Sequence, residues 1–165
     1  MPFQVLADTG ISLTPPEGWT YVESTGSPGE GSFTFYAEAG EQSKGLFTSS
    51  GAFTVETWKL SPDSEVPPED VVNGFIDAQF TAYASTLGGE ATFGEYELAP
   101  IENYRYAGWT TTFDISGDKG TYRYAWADLR VPERIVVVIC ESAPENWDAI
   151  SAACQEAYWS VDIQP

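Results

Sequence analysis

The sequence contains no histidine. That removes the side chain most often used as a general base near neutral pH and the commonest metal ligand. Only two cysteines, Cys140 and Cys154, are present, too few for a four-thiolate zinc site. Basic residues are scarce: seven Lys and Arg stand against 25 Asp and Glu, a net charge of −18. They are scattered as Lys44, Lys59, Arg105, Lys119, Arg123, Arg130 and Arg134. Neutralising a phosphate backbone or an anionic lipid surface needs clustered cations, so nucleic-acid binding is excluded as an expectation. The longest apolar run, Ile135–Cys140, falls far short of the ~20 residues that span a bilayer. The opening MPFQVLADTG has neither a basic n-region nor a long apolar stretch, so it does not read as a signal peptide. That is compatible with a cytoplasmic protein or with the mature part of an exported one.

What is abundant is aromatic. Six Trp, nine Tyr and nine Phe in 165 residues are incompatible with a disordered chain. A single domain of this length buries roughly two-thirds of its unfolded surface. Catalytic signatures are missing: there is no phosphate-binding G-x-x-x-x-G-K, no G-x-S-x-G elbow and no C-x-x-C. Asp114 and Asp118 in DISGDKG lack the spacing of a calcium loop and fit turn chemistry. Asp63, Glu65, Glu69 and Asp70 read as a solvated, acid-rich helix start, and no spacing sets Glu95, Glu97 and Glu102 across a cleft. No metal and no cofactor is expected.

Side-chain periodicity supplies the elements. Strands are expected at residues 3–7, 10–14, 19–22, 32–37, 52–60 and 92–98 from alternation bounded by Gly and Pro. A helix should open at Pro67-Pro68-Glu69-Asp70 and run to Leu87, with Gly88-Gly89 as its stop. Its stripe is Val72, Ile76, Phe80, Tyr83 and Leu87, widened by Val71 and Phe75. A second helix, residues 143–158, follows a capping box Ser142-Ala143-Pro144-Glu145 and carries Trp147, Ile150, Cys154, Ala157 and Tyr158 on one face. Val161-Asp162-Ile163 reads as a terminal strand or tail.

The stretch Glu102–Glu141 is the centre. It reads as three antiparallel strands, the first two joined at Gly117-Asp118-Lys119-Gly120. The third, Ile135–Cys140, is apolar throughout and should be covered on both faces. In the first two, Ala107, Trp109, Thr111, Phe113 and Ile115 are expected opposite Arg123, Ala125, Ala127 and Leu129. The other face then carries Tyr104, Tyr106, Gly108, Thr110 and Thr112 opposite Tyr122, Tyr124 and Trp126. A slip of one residue would exchange the faces of one strand. The aromatic row is read first as core; its functional reading is a groove in which Tyr104, Tyr106, Tyr122, Tyr124 and Trp126 stack on a partner. A disulfide between Cys140 and Cys154 is disfavoured, because a helix doubling back over its own strand carries Cys154 ~15 Å toward Val136. Two buried thiols are expected instead.

Gly10-Ile11-Ser12-Leu13 followed by Pro16-Glu17-Gly18-Trp19, the strand Phe53–Leu60 with its acidic loop and helix, Ile101–Trp109, and the ending Tyr158-Trp159-Ser160-Val161 resemble, in that order, the PsbP-like α/β/α sandwich superfamily, with its DcrB-type and LpqN-type bacterial proteins. The resemblance spans nearly the whole chain; the loop from Glu38 to Gly51 departs from it. The elements themselves read as a single α+β domain with a mostly antiparallel sheet of six or seven strands, covered by two main helices, one on each face or both on one side; the resemblance implies an α/β/α sandwich. It implies accessory or binding work, since such proteins include photosystem subunits, small-GTPase binders, envelope lipoproteins and effector chaperones. It transfers no catalytic residue. The leading expectation is a non-enzymatic binding domain with a protein or peptide partner, the soluble part of a bacterial cell-envelope lipoprotein. The alternatives are a cytoplasmic chaperone or adaptor holding an apolar segment, and a histidine-free carboxylate enzyme. Few Lys with many Tyr, Thr and Gly lean toward an extracytoplasmic home.

Overall fold

The structure, a computed structural model, describes residues 4–6, 8–25, 31–38, 50–60, 68–87 and 90–164. Most of the 38–51 loop, the segment with Asp63 and Glu65, the Gly88-Gly89 stop and the side chains of Tyr83 and Leu87 lie outside the described residues. The strands are β1 (Gln4–Leu6), β2 (Ile11–Leu13), β3 (Thr20–Thr25), β4 (Gly31–Tyr36), β5 (Ala52–Lys59), β6 (Thr92–Phe93), β7 (Ala99–Pro100), β8 (Ala107–Gly117), β9 (Gly120–Val131), β10 (Arg134–Ser142) and β11 (Asp162–Ile163). Helix α1 is Glu69–Leu87 and α2 is Trp147–Ser160.

All pairings described are antiparallel. The main sheet has eight strands in the order β3-β4-β5-β10-β9-β8-β6, with β7 also on β8. Strand β10 lies at its middle and Val136–Ser142 are buried, as its unbroken apolar run requires. A second, three-stranded sheet runs β1-β2-β11, so Val161-Asp162-Ile163 contributes a strand. Arg134 ties this small sheet to the large one: its guanidinium donates to the carbonyls of Thr9 and Gln164, and burial lowers its pKa.

The two faces of the main sheet have separate cores. On one, Val72, Ile76 and Phe80 of α1 cover Phe113, Ile115, Tyr124, Trp126, Val137 and Ile139. On the other, Cys154, Ala157 and Val161 at α2 pack with Phe33, Phe35, Phe53, Val55, Ala127, Leu129, Val136, Val138 and the small sheet. Each helix therefore takes one face, in a layered α/β/α arrangement.

Several expectations are corrected. The hairpin turn falls where expected, with Asp118-Lys119 at its tip, but its register differs: Gly117 pairs with Gly120. Odd positions on β8 thus face even positions on β9: Thr111 pairs with Trp126, Phe113 with Tyr124 and Ile115 with Tyr122. The expected partition was out by one residue, which exchanges the faces of β9. Residues 102–106 are not strand. The chain bends at Asn103, with φ 55, and enters β8 only at Ala107. The 92–98 strand breaks as well: after Phe93 the chain leaves the sheet edge and returns as β7. Val71 is 57% exposed and does not widen the α1 stripe. The Ser142 hydroxyl donates to Ala143 O, not to a helix N–H, and a 3-10 turn, Pro144–Asn146, precedes α2.

That late start also reverses the cysteine expectation. Counted from Trp147, Cys154 is only ~10 Å along the helix, and the 3-10 turn brings the helix back over the end of β10. Cys140 and Cys154 form a disulfide with Cα atoms 6.0 Å apart.

Candidate functional site

In the middle of β8 and β9 the aromatic side chains Phe113, Tyr124 and Trp126 lie under α1, and short side chains face α2. Gly108, Thr110 and Thr112 alternate on β8, and Ala125 and Ala127 on β9 pair with Thr112 and Thr110. The result is a lane of short side chains. Helix α2 does not reach across it: Thr110 and Thr112 are exposed. Between helix and lane lies an open groove of about 330 Å³, floored by Thr110, Thr112, Ala125 and Ala127 and walled by Trp147, Ser151, Gln155 and Tyr158. The Cys140–Cys154 disulfide lines its inner side.

Gly108 sets how close β8 comes to β9. Its φ is +155, and a Cβ there would lie 1.7 Å from Asp128 O. No side chain fits, and the lane stays shallow at this end.

The groove ends on a group of aromatics. Tyr104 stacks on Tyr158 with centroids 4.7 Å apart and meets Trp159 edge-on at 4.9 Å. Its hydroxyl donates to Tyr158 O at 2.7 Å. Burial raises the Tyr104 phenol and pushes Tyr158 up to about 12, so both remain neutral hydrogen-bonding groups. Tyr106 accepts the Ile163 N–H at 2.7 Å through its hydroxyl, joining this corner to β11. Near the other end of the lane, Arg123 Nε donates to Asp114 Oδ1 at 2.8 Å and Nη2 to Oδ2 at 3.2 Å. The site offers polar hydroxyls, an amide, aromatic faces and one neutralised ion pair. It can hold an extended or flat ligand by contact and hydrogen bonds.

The five aromatics singled out in the sequence do not form one row. Tyr104 and Tyr106 sit at the α2 end, on the groove's side of the sheet. Tyr124 and Trp126 are 2% and 1% exposed beneath α1, where Phe80 contacts both rings, and Tyr122 is half-buried beside them. The core reading of the row therefore holds for Tyr124 and Trp126. Sequence reasoning missed the groove itself. Its signal was available: small residues alternate on both β8 and β9, and they meet only when the strands are paired through the correct turn.

No family model matches the sequence, and no curated protein matches it. Solved structures do. The cyanobacterial PsbP of Synechocystis sp. PCC 6803 superposes with a TM-score of 0.67 over 99% of this chain and 92% of its own, at 13% identity. LpqN of Mycobacterium tuberculosis, described as involved in cell envelope biogenesis, gives 0.63 over 99% and 91%, at 12% identity. The Ran-binding protein Mog1p of Saccharomyces cerevisiae gives 0.57 over 98% and 94%, at 11% identity. The fold is PsbP-like.

Proposed function

We propose that this PsbP-like chain is a single non-enzymatic binding domain that takes a peptide segment of a partner protein into the α2–β8–β9 groove. The observation that carries the reading is the uncovered floor, Thr110 and Thr112, beside the aromatic wall Trp147 and Tyr158. A lane of short side chains leaves a backbone-wide space, and flanking aromatics supply contact area with little loss of side-chain freedom. Tyr104 and Tyr106 serve as the aromatic end of the site. Tyr122, Tyr124 and Trp126, on the opposite face, act through packing. Glu95, Glu97 and Glu102 are exposed on the irregular edge around β6 and β7 and line none of the three cavities described among these residues, which disfavours the carboxylate enzyme. Ran binding by the structural neighbour Mog1p is work of the same kind.

The disulfide favours the envelope reading over the cytoplasmic adaptor, because such bonds persist in oxidising compartments. LpqN's link to cell envelope biogenesis points the same way.

The experiment is peptide selection from a random displayed library, followed by calorimetric titration of the winners. Thr112→Arg changes an exposed floor residue and should abolish their binding without unfolding the domain. Selected peptides that bind Thr112→Arg and Thr110→Arg as well as the parent would refute the groove.

A further inference from the structure

The face beneath α1 carries two carboxylates in one row. Glu56 of β5 and Asp128 of β9 both pair with Val137 of β10, so they flank it with Cα atoms ~10 Å apart at ordinary strand spacing. Each has an indole two residues away on its own strand. Trp58 donates a side-chain hydrogen bond to Glu56, and Trp126 Nε1 donates to Asp128 Oδ1 at 2.9 Å. Glu56 Oε2 is buried without a hydrogen bond. Asp128 is 4% exposed. Burial raises the pKa of both acids, and Asp128 further raises that of Glu56.

A buried carboxylate is ordinarily matched by a cation or several donors. Among the described residues, the donors to this pair are two neutral indoles. Asp128 is not sealed in, however. It lines a cavity of about 280 Å³ whose other walls are Trp58, Leu60, Val71, Val72, Phe75 and Ile135, with Lys59 also present. Trp58 is 42% and Val71 57% exposed, large apolar groups left uncovered where the cavity opens. The chamber is almost wholly apolar and its lining holds two charged residues, Asp128 and Lys59, of which Asp128 takes its side-chain hydrogen bond from an indole and not from the ammonium. The complementary ligand is apolar with a single positive head. Its chain would lie along Val72, Phe75 and Ile135, and its head would meet the carboxylate and the indole face of Trp58.

We propose that this cavity is a binding site for an apolar ammonium, an alkyl chain ending in a protonated amine, with Asp128 as acceptor of the head group. It lies across the sheet from the peptide groove and does not depend on it.

The probe set is n-hexylamine, 1-hexanol and hexanoate, titrated at pH 7.5 against the indole fluorescence of the intact chain. Hexylammonium should bind about tenfold or more tightly than hexanol, and hexanoate more weakly than either. The preference should persist in 0.5 M salt, which screens general attraction to an acidic surface to within ~4 Å. Asp128→Asn should reduce the ammonium-to-alcohol ratio to about one. Should that variant not fold, Val71→Arg keeps the test alive: it alters an exposed helix position, places a cation at the mouth and should abolish hexylammonium binding. Equal affinity for amine and alcohol, binding of neither, loss of the preference in salt, or its survival in a folded Asp128→Asn or Val71→Arg protein would each overturn the proposal.

Discussion

The indole of Trp126 and the carboxylate of Asp128 form a hydrogen bond of 2.9 Å between two residues on one strand, both almost fully buried. Trp126 is thereby satisfied, and Asp128 is held against the core without a counter-ion among its hydrogen-bond partners. The fold tolerates an acid here at a measurable cost.

That cost depends on pH. Burial pushes Asp128 from 3.8 up to about 6, so the native state holds this proton more tightly than the unfolded chain. The group's contribution is most favourable below about pH 4 and is lost as the pH rises to about 6. The loss is on the order of 3 kcal/mol, and the raised pKa of Glu56 acts in the same direction. Asp128→Asn keeps an acceptor for the indole. It should match the parent near pH 4 and exceed it by ~2–3 kcal/mol at pH 7.5 in urea unfolding. A variant no more stable than the parent at pH 7.5 would contradict the raised pKa.

Phe80 is the pin of the α1 face. Its ring lies 4.5 Å from Phe113, 5.3 Å from Trp126 and 5.5 Å from Tyr124. Phe80→Ala should lower the unfolding free energy by about 3–5 kcal/mol. Trp126→Ala should behave similarly, while a folded remnant of the Phe80→Ala protein retains groove-directed peptide binding.

Reduction of Cys140–Cys154 opens a loop of sequence separation 14. The chain-entropy expectation is a loss of about 3 kcal/mol. Cys140→Ser with Cys154→Ser should reproduce the effect of a reductant, and the parent, denatured without reductant, should titrate no free thiol.

Gly108→Ala brings a Cβ to 1.7 Å from Asp128 O, a backbone atom that cannot rotate away. The pairing of β8 and β9 must part locally, with destabilisation of about 3 kcal/mol. Gly74 on α1, where a Cβ would meet nothing within 4 Å, is the control: Gly74→Ala should stabilise by up to ~1 kcal/mol. Urea unfolding of the two variants beside the parent checks both signs.

Much of the fold was legible because it is local. Alternation in Phe53–Lys59, the unbroken run Ile135–Cys140 and the spacing of Val72, Ile76 and Phe80 each report the burial of their own element. The order of those elements sufficed to recognise a PsbP-like layering. The segment around Tyr96 was harder. Its hydroxyl donates to Asp77 Oδ1 at 2.7 Å, so a contact to α1, and not strand pairing, sets the path between β6 and β7.

The candidate site was not legible. Period-two alternation says that Tyr122, Tyr124 and Trp126 share a face, and that Thr110 and Thr112 share one, but it is satisfied by either parity. One residue of the Asp118-Lys119 turn decides between them. That choice placed the aromatics beneath α1 and brought the threonines and alanines together as a groove floor. The sequence by itself determined strands, helices and layers, through periodicities that each segment carries alone. Tertiary structure decided which faces meet, that Cys140 reaches Cys154 and that Asp128 is enclosed, because these depend on register and helix placement between segments distant in the chain.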